Sequence, residues 1–301
     1  VKKIFIKSQG AGWVIDSISN DFKKHTSHKI VKKDPDIVWS LNAFGFRSIY
    51  GAFDNCKYVL HLHHIDETKL KEYPFNLFNK ANICIVPNKI TERVAKKYLS
   101  IPIVRMPYWL LSNATKEKSE RSKKIRNKLK QNDEILIGSF VKDGNGKTGD
   151  TPKLSKGPDT LVSILKKISK NHKIKVLLAG YCRKWTASNL KKHNIPYVYY
   201  ERFDDVVDLY DSIDWYFATS RYEGGPQSVL EASYRKVKIL STDVGLASDV
   251  LHPDCICNSV GDFVDKFEVS LDRIGYNYNS VHDHYRHTVL IPEFDKFFEG
   301  M

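Results

Sequence analysis

Two glutamates, Glu223 and Glu231, stand eight positions apart, and Gly224-Gly225-Pro226 interrupts the chain directly after the first. The apolar run Trp215 to Ala218 precedes them and reads as a buried strand, while Val229 to Tyr234 has helical character. One carboxylate is therefore expected in a loop at a strand's carboxyl end and the other inside the next helix. From Pro226 to Glu231 a helix advances about 7.5 Å at ~1.5 Å per residue. That span suits a sugar ring at one end of a ligand and a ribose at the other.

Three further groups have the composition for ligand chemistry. Ser155-Lys156-Gly157-Pro158 leads into a helix and sets Lys156 beside its positive end. A lysine is disfavoured there unless an anion is present, so a pyrophosphate is a plausible partner; a solvated surface lysine is the plain alternative. Gly10-Ala11-Gly12 follows the first strand, where a glycine turn lets backbone N–H groups approach an anion; a simple tight turn explains it equally well. His61, His63 and His64 cluster at a strand end, and alternation sends His61 and His63 to one face and His64 to the other. Carboxyl ends of strands line the ligand crevice in open α/β sheets, so a histidine there can hold a sugar hydroxyl.

The elements that must position these residues alternate. Strand-like runs cover Lys3 to Ile6, Lys29 to Val31, Asp36 to Trp39, Lys57 to His63, Ile83 to Pro87 and Ile103 to Met106. A second series covers Ile135 to Val141, Ile174 to Gly180, Tyr197 to Tyr200, Ile213 to Ala218 and Val237 to Thr242. Amphipathic stretches fall between them, such as Val14 to Lys24, Ile90 to Leu99 and Asp159 to Ile168. Several strands are apolar on both faces, as parallel sheets covered by helices require. The expectation is an α/β chain of two doubly wound Rossmann-like domains. The boundaries read as a first domain over 1–110, a basic linker and helix over 111–133, a second domain over 134–278, and carboxyl-terminal helices over 279–301 that pack back toward the first domain.

Bulk properties narrow the class. The chain has 301 residues and 42% hydrophobic residues, enough for two cores. No apolar run approaches the ~20 residues of a membrane span, and the opening Val1-Lys2-Lys3-Ile4-Phe5-Ile6 reads as a first strand rather than a signal peptide. Five scattered cysteines argue against a disulfide framework and for a reducing compartment, and Cys255-Ile256-Cys257 has the wrong spacing for a zinc pair. His282, His284 and His287 do not share a helix face as a set, so no metal is expected. The formal charge of +13 is uneven: residues 1–131 hold 26 Lys+Arg against 11 Asp+Glu, and the remainder 22 against 24. A basic half favours an anionic partner, with lysine-rich coding bias as the alternative. Lys116 to Lys130 alone carries eight basic residues and reads as linker followed by a solvated helix, or as a polybasic binding element. The long Gly-, Lys- and Asp-rich loop Lys142 to Ser155 is of a length usually functional or mobile.

Taken together these features resemble the GT-B glycosyltransferases, especially the large retaining family four. The likeness is strongest from Gly138 to Val250, where Gly138-Ser139, Lys156-Gly157, Gly180, the Asp204 to Asp214 region, the Glu223 to Glu231 motif and Ser241-Thr242-Asp243-Val244-Gly245 follow in that family's order. It is weaker but ordered in the first half, through Gly10 to Gly12, His63 and Ile85-Val86-Pro87-Asn88. The resemblance implies that Glu231 accepts hydrogen bonds from a donor's ribose and that Glu223 binds the transferred sugar. It implies that backbone N–H groups near Gln227, Ser228 and Val229 face the pyrophosphate, with Gly224 and Gly225 beside them. Lys156 would neutralise the leaving diphosphate, and His63, with His64 as second choice, would meet the sugar. The family often has an arginine shortly after the glycine aligned with Gly138; here Ser139-Phe140 stands there, so Lys142, Lys147 or Arg183 would substitute.

The resulting expectation is a retaining, metal-independent glycosyltransferase that binds its acceptor on the first domain and a nucleotide-diphosphate sugar on the second. No cofactor is expected beyond that co-substrate. The acceptor is expected to be anionic: a membrane-surface lipid-linked glycan, a polysaccharide or modified DNA. The location is expected to be cytoplasmic, with peripheral membrane association as an option. A sugar-nucleotide epimerase of the same fold and a catalytically inactive basic binding module are the rivals.

Overall fold

The computed structural model describes residues 1–10, 14–130, 133–203, 205–270 and 272–301. By its internal contacts the chain forms two compact units. The first comprises Val1–Ser112, Glu223–Gln227 and Asp283–Met301; the second comprises Asn113–Tyr222 and Ser228–His282.

The first unit is built on six parallel strands: β1 (Lys3–Lys7), β2 (Lys29–Ile30), β3 (Ile37–Ser40), β4 (Lys57–His61), β5 (Ile83–Val86) and β6 (Ile103–Arg105). They lie in the order β2-β1-β3-β4-β5-β6. Side-chain alternation divides the sheet between two cores. Ile4, Trp39, Val59 and Ile85 face the helix Val14–His25 and the carboxyl-terminal helix His287–Glu299, which contributes Leu290, Ile291, Phe294 and Phe298. Val38, Leu60, Cys84 and Val86 face the helices Ala43–Ile49 and Lys89–Tyr98. Both helices start at asparagine caps, Asn42 and Asn88, whose side chains accept from Phe44 N and Thr91 N. Burial on both sides explains why these strands read as continuous apolar runs.

The second unit has a larger helical share and a second six-stranded parallel sheet: β7 (Ile135–Phe140), then a small antiparallel hairpin of β8 (Gly144–Asn145) and β9 (Thr151–Pro152), then β10 (Ile174–Ala179), β11 (Tyr197–Tyr200), β12 (Trp215–Ala218), β13 (Lys238–Thr242) and β14 (Ile256–Cys257). The large sheet runs β11-β10-β7-β12-β13-β14. Counted along the chain this is 3-2-1-4-5-6, whose direction of winding reverses between β7 and β12. Ligands of open α/β sheets bind outside the strand ends at such a reversal. One face of the sheet is packed by the helix Pro158–Ile168 and by Phe263 and Phe267 of the helix Val260–Val269.

The basic stretch after Ser112 belongs to the second unit. Its helix, Glu120–Leu129, starts at a Ser119 cap. Six of its eight cations meet carboxylates: Lys116 with Asp205, Lys118 with Asp211, Arg121 with Asp208, Lys123 with Glu120, and Arg126 and Lys130 with Asp214. The helix keeps most of its cations in solvent and packs on the second unit through its buried Ser122 and Leu129. All five cysteines are free. Among the described residues no helix is long and apolar enough to cross a membrane.

Candidate active site

The reversal between β7 and β12 gathers a buried polar group. Glu231 lies in the helix Gln227–Tyr234 and is 7% exposed. Tyr210 donates its hydroxyl to Glu231 Oε2 at 2.8 Å. Burial pushes the Glu231 carboxyl up to about 7, Tyr210 pulls against that shift, and Asp205 adds to it. Tyr216, in β12, bridges the strand end: its hydroxyl is 3.3 Å from Phe140 N, donates to Phe140 O at 3.4 Å, and bonds the side chain of Ser228. Ser228 and Glu231 are therefore tied through two tyrosines to the end of β7. Val229, between them, is wholly buried by its side chain.

A second feature sits at the end of β12. Gly157 caps the helix Pro158–Ile168 in the left-handed region at φ 63°, and Thr219 Oγ1 donates to its carbonyl at 3.0 Å. A Cβ at Gly157 would come within 1.8 Å of Thr219 O, so only glycine allows this approach. Arg221 clamps Asp159 through two bonds, 2.8 and 2.7 Å, holds Leu154 O, and keeps the Asp159 carboxyl below the usual carboxylate range. Together these contacts fix the turn Leu154–Lys156, and with it Lys156, beside the β12 end.

Other expected donor residues have different surroundings. Gly138 is inside β7, where a Cβ would meet the ends of the Ile213 and Phe140 side chains at 2.5 and 2.9 Å. Gly180, at φ 115°, ends β10 against Val141 O. Arg183 was one of three candidates, with Lys142 and Lys147, for a second diphosphate cation, and its side chain is engaged within the protein. Its guanidinium is fully buried, bonded to Asp143 and to Ser139 O and Oγ, while Asp143 also accepts from Thr186. Ser139 is occupied by the same network. Lys142 is exposed on the adjoining loop. That loop is pinned rather than loose: Trp185 N donates to Gly149 O, and Gly144 and Gly149 pack on the Cys182 carbonyl.

In the first unit, Gly10 takes φ 71° and its N–H donates to Asp16 Oδ1 at 2.8 Å; Gly12 lies outside the described residues, as does Asp204. His63 donates from Nε2 to Leu41 O at 2.5 Å and accepts at Nδ1 from the Tyr108 hydroxyl. Both nitrogens are thereby committed to the protein, and burial pulls the ring down to about 4. His61, fully buried, stacks between Trp39 and Tyr108, and His64 is exposed. The segment Glu223–Gln227, although it leads into the Glu231 helix, makes its contacts in this unit. Asn88 Nδ2 donates to Gly224 O, Gln227 Nε2 donates to Trp109 O at 2.7 Å, and a Cβ on Gly224 would strike His63 O at 2.2 Å. Glu223 and Gly225 are half-buried there. The two motif glutamates thus belong to different units, against the expectation that one domain holds both.

His282 stacks on Tyr234 and Tyr278, whereas His287 lies against His25. Among the described residues no three His, Cys, Asp or Glu side chains are placed to hold a metal ion. Cys255 accepts from Asn277, and Cys257 is buried with its thiol pushed up to about 12, as structural cysteines are. Tyr210, Tyr216 and Phe140 were missed from sequence. Their signal was available as aromatics flanking the strand at which winding reverses.

The comparisons with known proteins bear on the same region. Residues 152–259 match the family of glycosyl transferases group 1. This segment is similar to the group 1 glycosyl transferases. It contains the Lys156 turn, β12 and the Glu231 helix. No curated protein matches the chain in sequence. Solved structures resemble it closely in fold. Anabaena Alr3699/HepE in complex with UDP and glucose has a TM-score of 0.78 at 11% identity, with 100% of each chain covered. A glycosyltransferase from Rickettsia africae gives 0.72 at 12% identity, covering 99% of this chain and 98% of its own. Sucrose-phosphate synthase from Thermosynechococcus elongatus gives 0.68 at 14% identity, covering 88% and 73%. The segment similar to group 1 glycosyl transferases therefore sits in a chain with the GT-B fold.

Proposed function

We propose that the chain is a retaining glycosyltransferase that moves a sugar from a nucleotide-diphosphate sugar to an anionic acceptor. The observation that carries this reading is the buried Glu231 carboxyl at the β7/β12 reversal, inside the matched group 1 domain. A carboxylate there accepts from both hydroxyls of a ribose. The amides at the start of the helix Gln227–Tyr234 suit the diphosphate. Lys156, fixed by the Gly157 and Arg221 contacts, neutralises charge that grows on the leaving diphosphate as the glycosidic bond breaks. Glu223 binds the transferred sugar. Retention proceeds by front-side attack, with a diphosphate oxygen helping to deprotonate the acceptor. No step calls on a metal. The structure of HepE with UDP and glucose supports a uridine donor as the first to try.

The anionic acceptor rests on the charge of residues 1–131. A lipid-linked glycan at a membrane surface fits that charge, as does modified DNA. A steep loss of acceptor binding with salt on liposomes but not on duplex DNA decides for lipid, and the reverse for DNA.

The decisive experiment is a thermal-shift panel of UDP-, GDP-, ADP- and TDP-sugars, because a ligand that binds only the native state raises its melting point. One sugar nucleotide should do so. Glu231→Ala and Lys156→Ala should then each lower turnover at least tenfold, about 1.4 kcal/mol of barrier. Unchanged turnover in both variants, or an epimerised donor as the product, overturns the reading.

A further inference from the structure

Glu231 is gripped from outside its own helix. Tyr210 ends the short helix Val207–Tyr210, upstream of β12, and reaches across to Oε2. Its ring is wholly buried and held on two sides, edge-on to Phe140 at 4.8 Å between ring centres and tilted against Tyr216 at 5.3 Å. Phe140 closes β7 and Tyr216 lies in β12, so the two strands that flank the reversal hold the tyrosine in place. A buried phenol clamped in this way has little torsional freedom, and its hydroxyl is a fixed point. A glutamate has three side-chain torsions, and a hydrogen bond from a fixed donor selects one arrangement.

We propose that Tyr210 is a positioning residue for donor binding, orienting the Glu231 carboxyl through Oε2 and leaving Oε1 for the ribose of the nucleotide. This rests on the donor-site reading above. The tyrosine acts through the glutamate and touches no substrate. It also favours the ionised carboxylate, the better acceptor for two hydroxyls. Of the groups that face Glu231, Asp205 opposes that ionisation, and Tyr210 supports it with its hydrogen bond. Tyr216 packs on the same ring and is itself held protonated by burial.

The test uses the full chain and the nucleotide sugar that stabilises it in the panel. Tyr210→Phe keeps the ring and removes only the hydroxyl. Calorimetry should show donor Kd raised about tenfold, as for a lost bond to a charged group. The pH at which donor affinity is half-maximal should move upward from the wild-type value. In a Glu231→Gln background the same substitution should add little, because the grip has nothing left to orient. Difference infrared spectra of the carboxyl region should show Glu231 protonating at higher pH in Tyr210→Phe without any ligand. Independent, additive losses with an unshifted carboxyl titration would overturn the inference. Full donor affinity in Glu231→Gln would instead overturn the donor-site reading itself. Circular dichroism and melting of Tyr210→Phe separate either outcome from misfolding, and the infrared titration stands even where donor binding is lost.

Discussion

The Arg183 guanidinium meets Asp143 Oδ2 from two nitrogens, Nε at 3.1 Å and Nη2 at 2.7 Å, with both side chains out of water. Asp143 opens the loop that carries the β8–β9 hairpin, and Arg183 precedes the helix Lys184–Lys192. The pair therefore joins the loop to the ends of β7 and β10.

Breaking this pair leaves a buried charge unmatched. Arg183→Met or Asp143→Leu alone should cost about 3–5 kcal/mol, while the double replacement should recover much of it. Urea unfolding of the three variants measures this. A loss below about 1 kcal/mol in Arg183→Met would mean that Arg183 is solvated in solution and available to a ligand.

Glu231 makes stability fall as pH rises. Its carboxyl sits near 7 in the folded chain against an ordinary 4.5, so between those values the folded state holds a proton that the unfolded state has released. The stabilisation is fully present below about 4.5 and is lost by about 7, about 3 kcal/mol in all. Glu231→Gln should flatten that part of the profile. Donor affinity should run the other way and rise with pH as the carboxylate forms. A melting profile with the same slope in wild type and Glu231→Gln would refute the burial effect.

His63 carries the opposite sign. Burial lowers its ring to about 4 from 6.5, so in that interval the unfolded state binds the extra proton and folding is favoured by rising pH. Nuclear magnetic resonance of the histidine ring carbons should find His63 neutral throughout pH 5–8, protonated on Nε2. A midpoint between 6 and 7 would show the ring open to solvent and free for chemistry.

Two glycines with similar backbones should respond differently. Gly157→Ala forces a methyl group into Thr219 O and should cost roughly 3 kcal/mol or more, with loss of activity through the displaced Lys156 turn. Gly10→Ala meets open space and should cost only about 1 kcal/mol from its positive φ. Equal losses would contradict the close approach at Gly157.

Most of the strands could be read directly, because burial on both faces leaves apolar runs of four to six residues between helix caps. Ile37–Ser40 and Trp215–Ala218 are examples. The hairpin Gly144–Asn145 with Thr151–Pro152 could not, since its two-residue strands carry no apolar period and depend on Cys182 and Trp185 for support. Lys156 and Glu231 could be singled out as candidates because their types are costly where the elements put them. The burial of Arg183 was not, because its partner Asp143 lies forty residues away. The attachment of Gly224 to Asn88 and His63 was hidden for the same reason.

Asp205, Asp208, Asp211 and Asp214 recur every third residue and face the densest run of lysines and arginines in the sequence. That acidic ladder meets five of the run's eight cations. A further positive surplus comes from earlier residues, where positions 1–115 hold 18 Lys+Arg against 9 Asp+Glu. A polyanion approaching in solution would be drawn to that net positive amino-terminal charge.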